Sequence, residues 1–154
     1  MTKAKMPVDI RPIRAEDRSA WYELWTAYLE FYETTVSSDV YDKTFERLLG
    51  DDDRDFAGFL AWVDGKPVGL VHFLTHRHCW KIEDVIYLQD LYADPSVRGA
   101  GVGHALIEAV YSAGDSAGTP TVYWLTQDFN AQARKLYDRV ANLTPFVTYQ
   151  RAAA

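Results

Sequence analysis

The chain has 154 residues, 48% of them hydrophobic, a formal net charge of −6 and one cysteine. That length suits a single domain, 1–154, with a core of its own; no apolar run approaches a membrane span, and the acidic balance argues against general nucleic-acid binding. Lone Cys79 excludes an internal disulfide, and with a polar, basic N-terminus (Met1–Pro7) it predicts a soluble, cytoplasmic protein with no membrane partner.

Asp9–Arg14 reads as a short first strand. Trp21, Leu24, Trp25, Tyr28 and Leu29 recur at helical spacing and predict an amphipathic helix from Ala15 to about Tyr32. Ser37–Asp39 interrupts it, Val40–Leu49 forms a second helix, and the acidic run Asp51–Asp55 is a loop. Phe56–Val63 and Pro67–Thr75 are strands joined by Asp64-Gly65-Lys66, a hairpin turn. Ile82–Ala93 is the central strand, and a helix follows from Val102 to about Ala117. Strand Thr121–Thr126, helix Asn130–Val140 and a closing strand Pro145–Gln150 complete the chain. The expected fold is α/β of the α+β type, a mixed, mostly antiparallel central sheet flanked by helices on both faces.

The most informative stretch joins the central strand to the helix after it: Arg98-Gly99-Ala100-Gly101-Val102-Gly103. A glycine-rich turn that opens a helix leaves several backbone N–H groups without partners, with the positive end of the helix dipole behind them. That makes an anion site, and glycine lets a phosphate approach the backbone closely. No Walker string exists in the chain, and the dinucleotide fingerprint read from Gly99 would need a glycine where His104 stands. The pattern that fits is Arg98-x-x-Gly101-x-Gly103, after a strand ending Leu91-Tyr92-Ala93.

This loop resembles the acetyl-CoA-binding loop of the GNAT superfamily of N-acetyltransferases. The likeness extends to Asn130-x-x-Ala133-x-x-x-Tyr137, similar to the family's second cofactor-binding segment, and to the order of elements from Ile10 to Gln150. It implies acetyl-CoA as co-substrate, held by Leu91, Tyr92, Ala93, Arg98, Gly99, Ala100, Gly101, Val102, Gly103, His104, Asn130 and Tyr137. Arg98 would hold pyrophosphate, a backbone N–H near Leu91 would meet the developing oxyanion, and Asn130 would bond the pantetheine arm or cap its helix. Tyr137 is the expected general acid for the departing thiolate, unless it only packs helix on sheet.

An amine of lysine type must lose a proton before it attacks, which costs roughly 4–5 kcal/mol at pH 7. Strand Tyr87-Leu88-Gln89-Asp90-Leu91-Tyr92 resembles the spermidine/spermine acetyltransferases, in which a glutamate stands at the position of Gln89. Gln89 takes no proton. Asp90 remains, and a carboxylate among apolar strand neighbours is expensive unless paired or functional. It would contact the acceptor amine directly or through water, or else bond a neighbouring loop; Glu83 and Asp84 are weaker candidates. By the same resemblance Phe31 and Tyr32, with Glu30 and Glu33 beside them, lie where the acceptor groove would be, and Gln89 and Asp90 are expected to bind the acceptor there, although the aromatic set of the first helix also suits a core.

Residues 15–64 hold thirteen acids and four bases, a net of −9 against +3 for the remainder. An acidic half on the acceptor side would attract a cation, or it is a solvated helical face. His72, His76 and His78 share strand parity, yet their spacing matches no zinc pattern and no metal is expected. Val140-Ala141-Asn142-Leu143-Thr144-Pro145-Phe146 replaces the Gly-Phe pair of many family members. The variant is similar to the branch of the yeast histone and polyamine acetyltransferase and implies a homodimer. The expected activity is N-acetylation of a small cationic acceptor, a polyamine or an amino acid. Acetylation of a protein lysine or N-terminus, or a non-catalytic acyl-CoA sensor, are the alternatives.

Overall fold

The hairpin turn shows how local chemistry fixes this sheet: Asp64 and Gly65 both take positive φ, 50° and 74°, so the turn follows the twist of its strands. The computed structural model describes residues 7–153. Its strands are β1 (Asp9–Pro12), β2 (Ala57–Val63), β3 (Lys66–His76), β4 (Val85–Ala93) and β5 (Val122–Tyr123). They lie in the order β1-β2-β3-β4-β5, antiparallel except for the parallel β4–β5 pair. The chain divides into two compact units, Met1–Trp124 and Leu125–Ala154, and the whole sheet belongs to the first.

Helices α1 (Arg18–Phe31) and α2 (Ser38–Leu49) cover one face of the sheet. Their inward stripe, Trp21, Leu24, Trp25, Leu29, Tyr41, Phe45 and Leu48, packs with Leu60 and Leu70 in one core cluster. The second helix starts two residues earlier than its apolar pattern suggests, because Ser37 caps it by accepting the Val40 N–H. Helix α3 (Val102–Ala117) lies on the opposite face with Leu106, Ile107 and Val110 fully buried. Among the described residues no helix is long and apolar enough to cross a membrane.

Two strand expectations are corrected. The segment Thr121–Thr126 pairs only at Val122 and Tyr123, opposite Ile86 and Tyr87 and short of the register irregularity in β4. Pro145–Gln150 forms no strand: Phe146, Val147 and Tyr149 are 78%, 77% and 94% exposed. Alternating apolar residues make a strand only when a neighbour takes up their backbone N–H and C=O groups. In the second unit, α4 (Ala131–Val140) forms where expected, with no buried residue.

Gly69 sets how closely α3 approaches the sheet. A Cβ there would lie 2.8 Å from both Val102 Cγ1 and the Tyr92 carbonyl oxygen. Gly69→Ala therefore pushes the start of α3 away from β3 and β4. It should cost about 1–3 kcal/mol, read as a lower urea midpoint with an unchanged slope; an unaltered midpoint would show that α3 gives way freely.

Candidate functional site

Ile86 faces α3, since a Cβ on Gly114 would come within 3.1 Å of its Cδ1. Side chains alternate along a strand, so Leu88 shares that face, and residue 90 would as well in an unbroken ladder. The register breaks that pattern. Leu88 pairs with Phe73 and Asp90 with His72, the very next residue of β3, so Gln89 is an extra residue, a β-bulge. The bulge turns Asp90 over to the α1 side.

There Asp90 joins a buried polar chain. The Trp21 indole N–H donates to His72 Nε2 at 2.9 Å, and His72 Nδ1 lies 2.8 Å from Asp90 Oδ2. The Trp25 indole N–H donates to the same oxygen at 3.2 Å, and Tyr28 also hydrogen-bonds Asp90. Trp21, Trp25, His72 and Asp90 are all buried. Burial first, then the charge of Asp90 and the bond to it, push the Tyr28 hydroxyl far above its ordinary value. Burial and then the Asp90 charge raise Tyr32; burial, Tyr123 and Asp90 raise Tyr87. All three stay neutral donors at neutral pH.

Trp25, Tyr28, Tyr32, Gln89 and Asp90 line a cavity of about 310 Å³, at the lower end of the range for small-molecule sites. Asp90 is its one charged lining residue. Phe31 stands outside this lining, 57% exposed at the end of α1 with its ring edge-on to Tyr32. Glu83 and Asp84 precede β4 rather than begin it, and Glu83 lies beside Lys81.

Leu91, Tyr92 and Ala93 finish β4 beyond the bulge. Asp94 then caps a 3-10 turn, Pro95–Val97, by accepting the Ser96 N–H at 2.9 Å, and delivers the chain to Arg98. Gly99 and Gly101 take φ of 83° and 82°, and a Cβ on either would meet open space. Backbone angle, not crowding, is what requires glycine there. The first backbone bond of α3 runs from Ala105 N–H to the Gly101 carbonyl. The N–H groups of Val102, Gly103 and His104 precede it and are oriented for an anion. The Val102 side chain is buried, so it serves the loop through its backbone; His104 is exposed and 3.3 Å from Glu108. β5 pairs β4 only at Ile86 and Tyr87, so among the described residues no strand pairs that edge of β4 from Gln89 to Ala93.

Asn130 and Tyr137 belong to the second unit. Asn130 holds the N-cap position of α4, but its side chain makes no cap and instead donates to Thr126 Oγ1 at 3.4 Å. Tyr137 sits on the last turns of α4, where its carbonyl accepts the Ala141 N–H. The three histidines of the β3 region have separate surroundings. His72 is in the buried chain, His76 Nε2 lies 2.7 Å from the Tyr123 hydroxyl, and His78 packs on Trp80. Among the described residues no group of three or more side chains could hold a metal ion.

Sequence reasoning missed the roles of Trp21, Trp25 and His72. The signal was present: a histidine inside the apolar run Val68–Leu74 must find partners when buried. Two tryptophans four residues apart on a buried helical stripe were the available donors.

Residues 19–141 match the model of the acetyltransferase (GNAT) family. The chain is 40% identical over 144 residues to the D-amino-acid N-acetyltransferase HPA3 of Saccharomyces cerevisiae, covering 92% of this chain and 89% of that protein. It is 29% identical over 116 residues to the thialysine N-epsilon-acetyltransferase of Caenorhabditis elegans, covering 73% and 71%. The fold is shared with aminoglycoside N-acetyltransferase AAC(6')-Iy in complex with a bisubstrate analogue, at a TM-score of 0.83 and 24% identity over 96% of this chain and 99% of that one. On the family match and the yeast relative, the chain belongs to the GNAT family of acetyltransferases.

Proposed function

We propose that this enzyme moves an acetyl group from acetyl-CoA to the primary amine of a small cationic acceptor, a polyamine or an amino acid, by direct attack in a ternary complex. The observation that carries the reading is the cavity whose one charged lining residue, Asp90, stands among Trp25, Tyr28 and Tyr32. Aromatic faces beside a carboxylate suit an organic ammonium. The relatives named for D-amino acids and thialysine support an acceptor of that size. The CoA complex of AAC(6')-Iy supports the donor.

Residues present in the chain fit CoA. The positive-φ loop Arg98–Gly101 and the N–H groups of Val102, Gly103 and His104 suit its phosphates, with Arg98 adding a charge. The unpaired edge of β4 at Leu91, Tyr92 and Ala93 suits the amides of the pantetheine arm, with the Leu91 N–H as oxyanion donor. Asn130 bonds that arm, and Tyr137 is the general acid. When bound, acetyl-CoA supplies a thioester whose C–S bond breaks as the C–N bond forms; of the two protons the ammonium loses, one reaches sulfur and one leaves to solvent. Asp90 holds the amine directly or through water, and positioning supplies much of the remaining acceleration. The reading extends to a homodimer, which the exposed Leu143, Phe146, Val147 and Tyr149 support.

Release of free CoA should be measured across polyamines, amino acids of both hands and basic peptides. Turnover with polyamines or amino acids is expected; turnover with peptides alone would replace the acceptor, and binding of acetyl-CoA without any release would leave a sensor. Tyr137→Phe should lower kcat by about 10²–10⁴-fold with acetyl-CoA binding retained, and an unchanged rate removes Tyr137 as the acid. Asp90→Asn keeps the shape and deletes the charge. It should raise the amine KM by about 10–100-fold while sparing the KM for acetyl-CoA; equal effects on both constants would mean a general loss of structure.

A further inference from the structure

His72 and Asp90, 2.8 Å apart beside the cavity, have the outline of a His–Asp dyad that takes a proton from the substrate. Trp21 argues otherwise. An indole N–H only donates, so His72 Nε2, 2.9 Å away, must accept and carry no proton. A neutral imidazole then bears its proton on Nδ1 and donates it to Asp90 Oδ2, which also accepts from the Trp25 indole. We infer that Trp21 and His72 are positioning residues that hold Asp90 as a fixed, unprotonated carboxylate anchoring the acceptor's ammonium, and that this chain of groups does not take the amine's proton. The inference rests on the acetyl-transfer reading above for the identity of the anchored group.

The geometry closes the other route. A second proton on His72 could go only to Nε2, where it would meet the Trp21 N–H head-on in a buried place. His72 is 3% and Trp21 0% exposed, so no water would relieve two opposed donors. The groups facing His72 come from four elements. α1 gives Trp21 and Trp25, with Tyr28 reaching Asp90; α2 gives Tyr41, edge-on to both tryptophans and bonded to Thr26. β4 gives Asp90, and β2 gives Gly58, where a Cβ would come within 3.3 Å of His72 Cδ2. Asp90 is the one carboxylate among them. A protonated His72 would pair with it and compete with the ammonium. By keeping His72 neutral, Trp21 leaves the charge of Asp90 to the cavity.

The test reads His72 directly. Long-range proton–nitrogen spectra of protein labelled at histidine, taken between about pH 5.5 and 8.5, report which ring nitrogen is protonated, with His72 assigned by its loss in His72→Asn. The wild type should show the Nδ1–H tautomer throughout. Trp21→Phe keeps an aromatic ring and removes the N–H, so that Nε2 of its His72 is free to take a second proton as the pH falls. The amine KM of that variant relative to wild type should then climb about tenfold as pH falls across this range, with the KM for acetyl-CoA steady. An Nε2–H tautomer, or a wild-type His72 that titrates in this range, overturns the proposal whatever the turnover. A flat KM ratio, or a wild-type kcat that follows a His72 proton, overturns it too. Absence of wild-type turnover with every amine would refute acetyl transfer instead, while the spectra still judge the network.

Discussion

Strand β4 carries Gln89 as an extra residue against β3, and side-chain parity inverts beyond it, so that Asp90 turns toward α1 while Ile86 and Leu88 stay against α3. Without the bulge, in a ladder that paired Gln89 with His72, the carboxylate would share the face of Ile86 and Leu88 beneath α3. With it, one strand performs two tasks in sequence. Its first half is sheet core, and its second half presents a charge to the cavity and then an unpaired backbone edge to the loop at Arg98. Bulges bend a strand and raise its twist, and the short β4–β5 ladder ends where this one begins.

The carboxylate is tolerated because its donors come from a helix already committed to the core. Trp21, Trp25 and Tyr28 follow one another at spacings of four and three, which stacks them along one stripe of α1. Each buries a large ring in the cluster around Leu60 and Leu70, or against its edge, and each turns its one polar hydrogen toward β3 and β4. Removing a fully buried ring such as Trp21 costs about 3–5 kcal/mol, so the rings are fixed by packing before they are asked to donate. A buried polar group with all its partners in place is rigid, and with one missing it is costly. The cavity wall is therefore held by the same contacts that hold α1 to the sheet.

The surplus of acids in residues 15–64 is one kind of charge, and Asp90 is another. Asp42, Glu46 and Asp17 stand beside Arg18, Lys43 and Arg14. The exposed pairs among them, Arg18–Asp42 and Lys43–Glu46, contribute about 0–1 kcal/mol each, whereas Asp17 is buried and accepts the Arg14 backbone N–H. Asp90 lies outside that segment and is different in kind: it is buried, bonded and faced by tyrosines whose hydroxyls burial first, with its charge adding, keeps protonated.

Much of the fold was legible because it is local. Helix α3 spans Val102–Ala117 as its periodicity indicates, and the turn before it needs glycine at φ of 82–83°, a demand written into Gly99 and Gly101. The hairpin of β2 and β3, closed by the turn at Asp64-Gly65, likewise depends on residues a few places apart. Asp90 stood out as a carboxylate in an apolar strand, and Tyr32 and Gln89 do share its cavity. What the sequence left open depends on partners far along the chain. Whether Pro145–Gln150 becomes a strand depends on a neighbour to pair with, and whether His72 is a metal ligand or a structural histidine depends on partners such as a tryptophan fifty-one residues before it. The facing of Asp90 depends on a register slip against β3. Local sterics act on each residue through its own neighbours in sequence, whereas register, pairing and the proton on an imidazole are set only when distant segments meet.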